Sequence, residues 1–284
     1  MKPDSRPAPM DRIERAHLKD PGDTSHRMYR YPVDQEFHGL LQRFWIPVWS
    51  VPPGHEAQQR VLQYPVSLLV VARDYARFYG VVPGLSTTTL SGNGWAVGVM
   101  CAPAAGALIA GGSMSAYTDR YVDVTDVLGA AGKRLTARVR AAMADDPHSP
   151  GAHGDAMAAF GDALRPFLPV DDDGLLVNRV VAFVEGEREV TRVAQVCAEF
   201  QVPERALQRL VHRRLGLTPK WLIQRRRLQE AAEQLRASPA RLGEVAAVLG
   251  YADQAHFTRD FARVTTMTPG EFAARHASPS RDRS

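Results

Sequence analysis

Eight side chains have the types and spacing to read a nucleic acid: Arg205, Gln208, Arg209 and His212 in one short stretch, and Gln254, His256, Thr258 and Arg259 in another. An arginine can hold both major-groove acceptors of a guanine. A glutamine can pair bidentately with adenine, and His or Thr can reach base edges or phosphates. The two stretches follow one pattern, with Arg209 matched by Arg259 at an offset of 50 residues. Apolar anchors lie between the polar residues, Leu207 and Val211 in the first stretch and Phe257 and Phe261 in the second.

A second amphipathic segment precedes each stretch. Val193, Val196 and Cys197 are matched 49 residues later by Leu242, Val245 and Ala246. Phe200 and Val202 bracket the first turn, and Leu249, Gly250 and Tyr251 form the second. The first unit ends at Gly216 before Thr218-Pro219, the second before Thr268-Pro269. Repetition of this kind predicts two helix-turn-helix units between Thr191 and Arg275. In such a unit the second helix enters the major groove while the first crosses the backbone. The helices that would enter run from about 203 to 214 and from about 253 to 264. Pro219 to Leu235 reads as one long helix joining the units, capped by Thr218, with Trp221, Leu222, Leu228, Ala231, Ala232 and Leu235 as a core stripe.

The net charge of the chain is only +4, but its distribution is uneven. Pro203 to Arg227 holds seven Arg and one Lys against one Glu, a local charge of +7. That block suits a polyanion, since cationic side chains release counterions from phosphates; a solvated helix face is the alternative reading.

The rest of the chain reads as α+β: a β-rich N-terminal domain ahead of the all-α double helix-turn-helix domain. Residues 1–30 are polar and expected to be poorly ordered; 31–143 form the β-rich sensor or dimerisation domain. Residues 144–173 are expected to be a linker and bridging helix, 174–276 the DNA-binding domain, and 277–284 a disordered tail. Strands are predicted at Phe44–Val51, Val61–Gln63, Val66–Ala72, Arg77–Val82, Thr87–Leu90 and Trp95–Cys101, with glycine-rich breaks such as Ser91-Gly92-Asn93-Gly94. A short helix follows at Pro103–Ala110. Longer helices are expected through Arg134–Met143, capped by Asp123 or Thr125, and at Asp155–Phe167 and Leu175–Glu187; Asp145–Gly154 reads as a loop.

No window approaches the ~20 apolar residues of a membrane span. The N-terminus lacks the apolar core of a secretion signal, so a cytoplasmic location is expected. Cys101 and Cys197 read as buried reduced thiols. The nine histidines are scattered, and no phosphate loop or nucleophile elbow is present, so no cofactor, metal or catalytic residue is assigned.

The segment from about Leu175 to Ala274 resembles the DNA-binding domain of AraC/XylS-type transcription regulators. The resemblance rests on Arg205-Ala206-Leu207-Gln208-Arg209, Gly216-Leu217-Thr218-Pro219, Arg227-Leu228 with Ala231, Val245-Ala246, Leu249-Gly250-Tyr251, Asp253 to Phe257, Arg259-Asp260-Phe261 and Thr268-Pro269. It implies seven helices, with the long connecting helix holding two recognition helices on one DNA face in successive major grooves. Three departures stand out. Gln201 and Thr266 occupy positions where a small residue or glycine suits a positive φ, and Pro203 replaces a capping hydroxyl. The Thr266 end is expected to be distorted or looser.

The N-terminal part resembles an uncharacterised domain found ahead of such units, through Tyr64-Pro65, Phe78 to Val81, Gly94 to Val99, Pro103-Ala104 and Thr118-Asp119-Arg120. An effector pocket between sheet and helices, lined by Trp45, Trp49, Tyr79 and Trp95, stands against the reading of these aromatics as core. Double-stranded DNA is the expected partner. RNA polymerase, a small-molecule effector at the N-terminal domain and a second copy of the chain are further candidates, and no membrane is. Two alternatives stay open: an interaction module derived from a helix-turn-helix, and a regulator whose N-terminal domain is catalytic or redox-sensing through Cys101.

Overall fold

Short runs of β-branched and aromatic residues separated by tight turns build the first half of the chain. In the computed structural model, which describes residues 23–62, 64–237 and 242–276, these runs are β1 (His26–Pro32), β2 (Leu41–Ser50), β3 (Ala57–Leu62), β4 (Leu68–Ala72), β5 (Ala76–Tyr79), β6 (Leu85–Leu90), β7 (Asn93–Cys101) and β8 (Tyr121–Asp123). Six of them form an antiparallel sheet in the order β1-β2-β7-β4-β5-β8, and β3 pairs separately with β6. Strand β1 falls partly inside the stretch read as poorly ordered. It forms because Tyr29 and Tyr31 pair opposite Ile46 and Phe44 and pack on the core. The remainder of that stretch, 1–22, and the tail 277–284 lie outside the described residues.

One sheet face is covered by α1 (Ala105–Ile109), α2 (Val124–Ala142) and α3 (Pro150–Leu164). Phe44, Ile46, Leu69, Phe78, Val97 and Val99 of the sheet share a core with Leu135 and Val139 of α2 and Phe160 and Leu164 of α3. Asp123 caps α2, accepting from the Thr125 amide at 2.8 Å. The expected linker and bridging helix at 144–173 is therefore corrected: α3 packs inside the N-terminal core, Phe160 meeting Phe44 edge-on at 5.8 Å. Part of the expected Asp145–Gly154 loop is also helical, because α3 starts at Pro150, a residue suited to a first turn. His153, fully buried, fixes this start, with Nδ1 2.6 Å from the Tyr31 hydroxyl and Nε2 2.8 Å from the Pro147 carbonyl oxygen.

The aromatics offered as one pocket divide between the two sheet faces. Trp95 belongs to the sheet–helix core, which side chains fill. Trp45, Trp49 and Tyr79 sit on the opposite face beside Val70, Ala72 and Ala96. Trp45 pairs across Gly98 and Trp49 across Gly94. A Cβ at either glycine would come within 2.3 Å of the indole, so only glycine admits the ring.

Seven helices follow among the described residues: α4 (Asp172–Gly186), α5 (Val193–Phe200), α6 (Glu204–Leu215), α7 (Pro219–Ala237), α8 (Leu242–Val248), α9 (Gln254–Thr265) and α10 (Pro269–His276). They enclose two cores. Val177, Val181, Val196, Leu207, Val211 and Leu222 define the first, and Leu228, Ala232, Val245, Phe257, Phe261 and Phe272 the second. Helix α7 supplies residues to both, so it fixes one helix-turn-helix against the other. Thr218 caps it, accepting from the Trp221 amide at 3.1 Å. Thr268 and Glu271 cap α10 reciprocally, each accepting from the other's amide at 3.2 and 2.7 Å.

The departures from the glycine pattern are absorbed without distortion. Gln201 takes φ +52° where the second unit has Gly250 at +71°, and Thr266 takes +60° where the first has Gly216 at +71°. The looser end expected at Thr266 is thus corrected: its amide donates to the Ala262 carbonyl at 2.9 Å, and the Gly216 amide closes α6 the same way on His212. The neighbouring Thr265 hydroxyl, fully buried, lies 2.8 Å from the Phe261 carbonyl oxygen and 2.9 Å from that of Met267, tying the corner down. A β-branched residue in the left-handed region still costs free energy. Thr266→Gly is therefore expected to stabilise the chain by about 1 kcal/mol, read as a raised urea midpoint.

Candidate nucleic-acid interface

The amphipathic period of α6 turns Leu207, Leu210, Val211 and Leu215 inward and leaves Arg205, Gln208, Arg209 and His212 exposed. The same arrangement on α9 buries Phe257 and Phe261, leaves Gln254, His256 and Arg259 exposed, and makes Thr258 half-buried. Seven of the eight candidate residues are thus exposed on these two helices, and Thr258 is half-buried. Gln208 spans one turn to Glu204 at 2.9 Å. The helix starts differ: Asp253 caps α9 by accepting from the His256 amide at 2.7 Å, whereas Pro203 precedes α6 with no side-chain cap.

The block of seven arginines, read from its charge as one cationic surface, is divided by the fold. Arg205, Arg209, Arg213 and Lys220 are exposed. Arg214 is buried and pairs with Asp171 at the N-cap of α4. Burial raises the Asp171 carboxyl, but Arg214 and the Gly174 amide outweigh it and hold the group below the ordinary aspartate range. Arg225 is buried, pairs with Glu185 at 3.1 Å and stacks 4.3 Å over the Tyr64 ring. Arg226, also buried, donates to the Val190 carbonyl at 2.6 Å and the Arg188 carbonyl at 2.9 Å and pairs with Glu230 at 3.2 Å. Burial pulls both guanidinium groups below the usual arginine range. Arg227 lies 4.0 Å over the Tyr251 ring. Four of the seven arginines are therefore structural, which reduces the charge available to phosphates.

The inward arginines share the domain junction with a set of hydrogen bonds. Asn178 on α4 accepts from the Ala104 amide at 2.9 Å and donates to the Gly39 carbonyl at 2.7 Å. The Thr118 hydroxyl donates to the Gly216 carbonyl at 3.2 Å, so the N-terminal unit grips the end of α6. A Cβ on Gly216 would lie 2.8 Å from the Met114 carbonyl oxygen and 2.2 Å from Thr118 Oγ1. Gly216→Ala, which also meets the positive φ, is expected to cost about 2 kcal/mol or more in a denaturant titration of the full chain.

Two basic residues at matching positions were not among the sequence candidates. Arg213 and Arg263 occupy the last turns of α6 and α9, both exposed, and the 50-residue offset that pairs Arg209 with Arg259 also pairs them. Cys101 is fully buried, and burial pushes its thiol up to about 12, which suppresses the reactive thiolate. Among the described residues no group of three or more His, Cys, Asp or Glu is placed to hold a metal ion, and no helix is long and apolar enough to cross a membrane.

Residues 196–275 match the family model of a helix-turn-helix domain, and residues 29–123 that of a domain of unknown function, DUF6597. The HTH-type transcriptional activator RhaS of Pectobacterium atrosepticum is 31% identical over 84 residues, covering 30% of this chain and 29% of that protein. The activator RhaR of Cronobacter sakazakii is 33% identical over 73 residues, 26% of each chain. The match thus spans less than a third of these relatives. Among solved structures, the C-terminal domain of AraT, a response regulator from Geobacillus stearothermophilus, aligns with 38% of this chain and 91% of its own at 20% identity and a TM-score of 0.35. ToxT of Vibrio cholerae aligns with 90% of this chain and all of its own at 12% identity and a TM-score of 0.39.

Proposed function

We propose that this chain, whose C-terminal part belongs to the AraC/XylS-type helix-turn-helix family, is a sequence-specific transcription regulator that inserts α6 and α9 into successive major grooves of double-stranded DNA. One observation carries the reading: two helices with matching exposed polar faces sit on separate cores that a single helix, α7, holds together. Arg205, Gln208, Arg209, His212, Gln254, His256, Thr258 and Arg259 supply the base and phosphate contacts. Such a protein works in the cytoplasm, beside RNA polymerase.

The N-terminal unit gives the effector or dimerisation response. With the sheet–helix core filled, one opening among the described residues is a cleft of about 460 Å³ between α2 and the β4–β5 turn, lined by Asp74, Tyr75, Lys133, Thr136 and Arg140 together with Ala76 and Ala137. Its mixed lining suits a small effector that carries both an ionic group and apolar surface. The DNA-binding reading is tested by the salt dependence of binding to upstream fragments of the chain's own gene. Cationic contacts make log K fall linearly with log salt, and Arg205→Ala should lower the slope by about 1 if that residue meets a phosphate. A salt-independent signal would mean that phosphates are not engaged.

A further inference from the structure

At one buried position the two recognition helices exchange an apolar side chain for a carboxylate. Where α6 has Leu210, 8% exposed, α9 has Asp260, 7% exposed. A carboxylate in an apolar core position costs stability unless it is fully paired, and a leucine there serves the first unit. Three polar side chains approach the Asp260 carboxylate, with the Tyr251 ring also close enough to feel its charge. Gln224 of α7 donates to Oδ2 at 2.6 Å, Arg263 donates to Oδ1 at 2.8 Å, and His256 Nε2 lies 3.7 Å from Oδ2. His256, Arg259, Asp260 and Arg263 are spaced i, i+3, i+4, i+7, so they form one stripe along α9. Three of them are exposed, with the Arg263 side chain 66% accessible. In α6 the matching Arg213 is tied back to Asp173 of α4, so the two units present their last-turn arginines differently.

We propose that Arg263 is a further DNA-contacting residue of the second unit, and that Asp260 is the positioning residue that aims it and His256 at the groove while Gln224 fixes the carboxylate to α7. This inference rests on the DNA-binding reading above. It makes base preference in one half of the site depend on a buried carboxylate, with no counterpart in the other half.

The test is selection of binding sites from random-sequence double-stranded DNA by the full chain as wild type, Asp260→Leu, Asp260→Asn, Arg263→Ala and the Asp260→Leu/Arg263→Ala double variant. The wild type should yield a motif in two parts. Asp260→Leu and Arg263→Ala should each flatten the same part, leave the other intact and weaken binding to the wild-type site about 10-fold. Asp260→Asn retains the volume and the Gln224 hydrogen bond but loses the charge, and should lose the same base preference at unchanged melting temperature. The double variant should bind less than twofold more weakly than Asp260→Leu alone, because the aspartate acts through the arginine. An unchanged motif in the Asp260 variants, equal weakening of both parts, or multiplicative losses in the double variant would each overturn the inference while leaving the regulator reading standing. A wild type that enriches no motif would overturn both.

Discussion

Replacing Phe261 by alanine is expected to destabilise the chain by about 3–5 kcal/mol, the range for emptying an aromatic site in a closed core. The ring is fully buried and meets Phe257 at 5.6 Å and Phe272 at 5.3 Å, both edge-on. It joins α9 to α10, and its loss leaves a cavity that neither neighbour can fill without leaving its own site. The measurement is urea unfolding of the full chain. Phe261→Val should cost less, since the first unit packs the equivalent position with Val211. A loss below about 1 kcal/mol for the alanine variant would mean that the second unit is not built around this aromatic run.

The second large effect concerns binding alone. Arg209→Ala and Arg259→Ala are each expected to weaken a specific DNA site by about 1–3 kcal/mol. Lying on different helices over separate cores, they should add, giving a loss of about 30-fold to about 2 × 10⁴-fold in the double variant. Both are exposed and on helix surfaces, so stability should stay within about 0.5 kcal/mol of wild type. Anisotropy titrations against specific and unrelated DNA separate the outcomes. Loss confined to the specific site marks base contacts, whereas an equal loss on all DNA marks phosphate contacts.

The repeat was legible because apolar period and turn chemistry recur at a fixed offset, and helix-turn-helix geometry converts that pattern into burial. Other features were hidden for physical reasons. Arg205 and Arg225 are the same residue in the same charge block, yet one faces solvent and the other is buried against Glu185 and Tyr64. Only the tertiary positions of Glu185 and Tyr64 separate them. The tryptophans show the same limit. A strand's register decides its faces, and a one-residue shift exchanges them, so Trp45 and Trp95 could not be sorted before pairing was known. Strand β1 was concealed by the exposed arginines Arg27 and Arg30 interspersed with Tyr29 and Tyr31, which break a clean period of two, and α3 by Gly151 and Gly154 in its first turns. At Thr266 local propensity pointed the wrong way, because helix closure and the buried Thr265 hydroxyl outweigh the left-handed penalty. Arg213 and Arg263 could have been found from the offset alone, but the Asp260 network depends on Gln224 of another helix and has no signal in spacing.

Held on one scaffold by α7, α6 and α9 are proposed to read two neighbouring grooves. The most direct measurement is the binding site that the wild-type chain selects from random DNA, followed by footprinting on it. A motif in two parts is expected, with centres about 10–11 base pairs apart, one helical turn, on the same DNA face. Shortening or lengthening the spacer by half a turn should abolish tight binding. A single compact motif insensitive to spacing, or no motif at all, would contradict it.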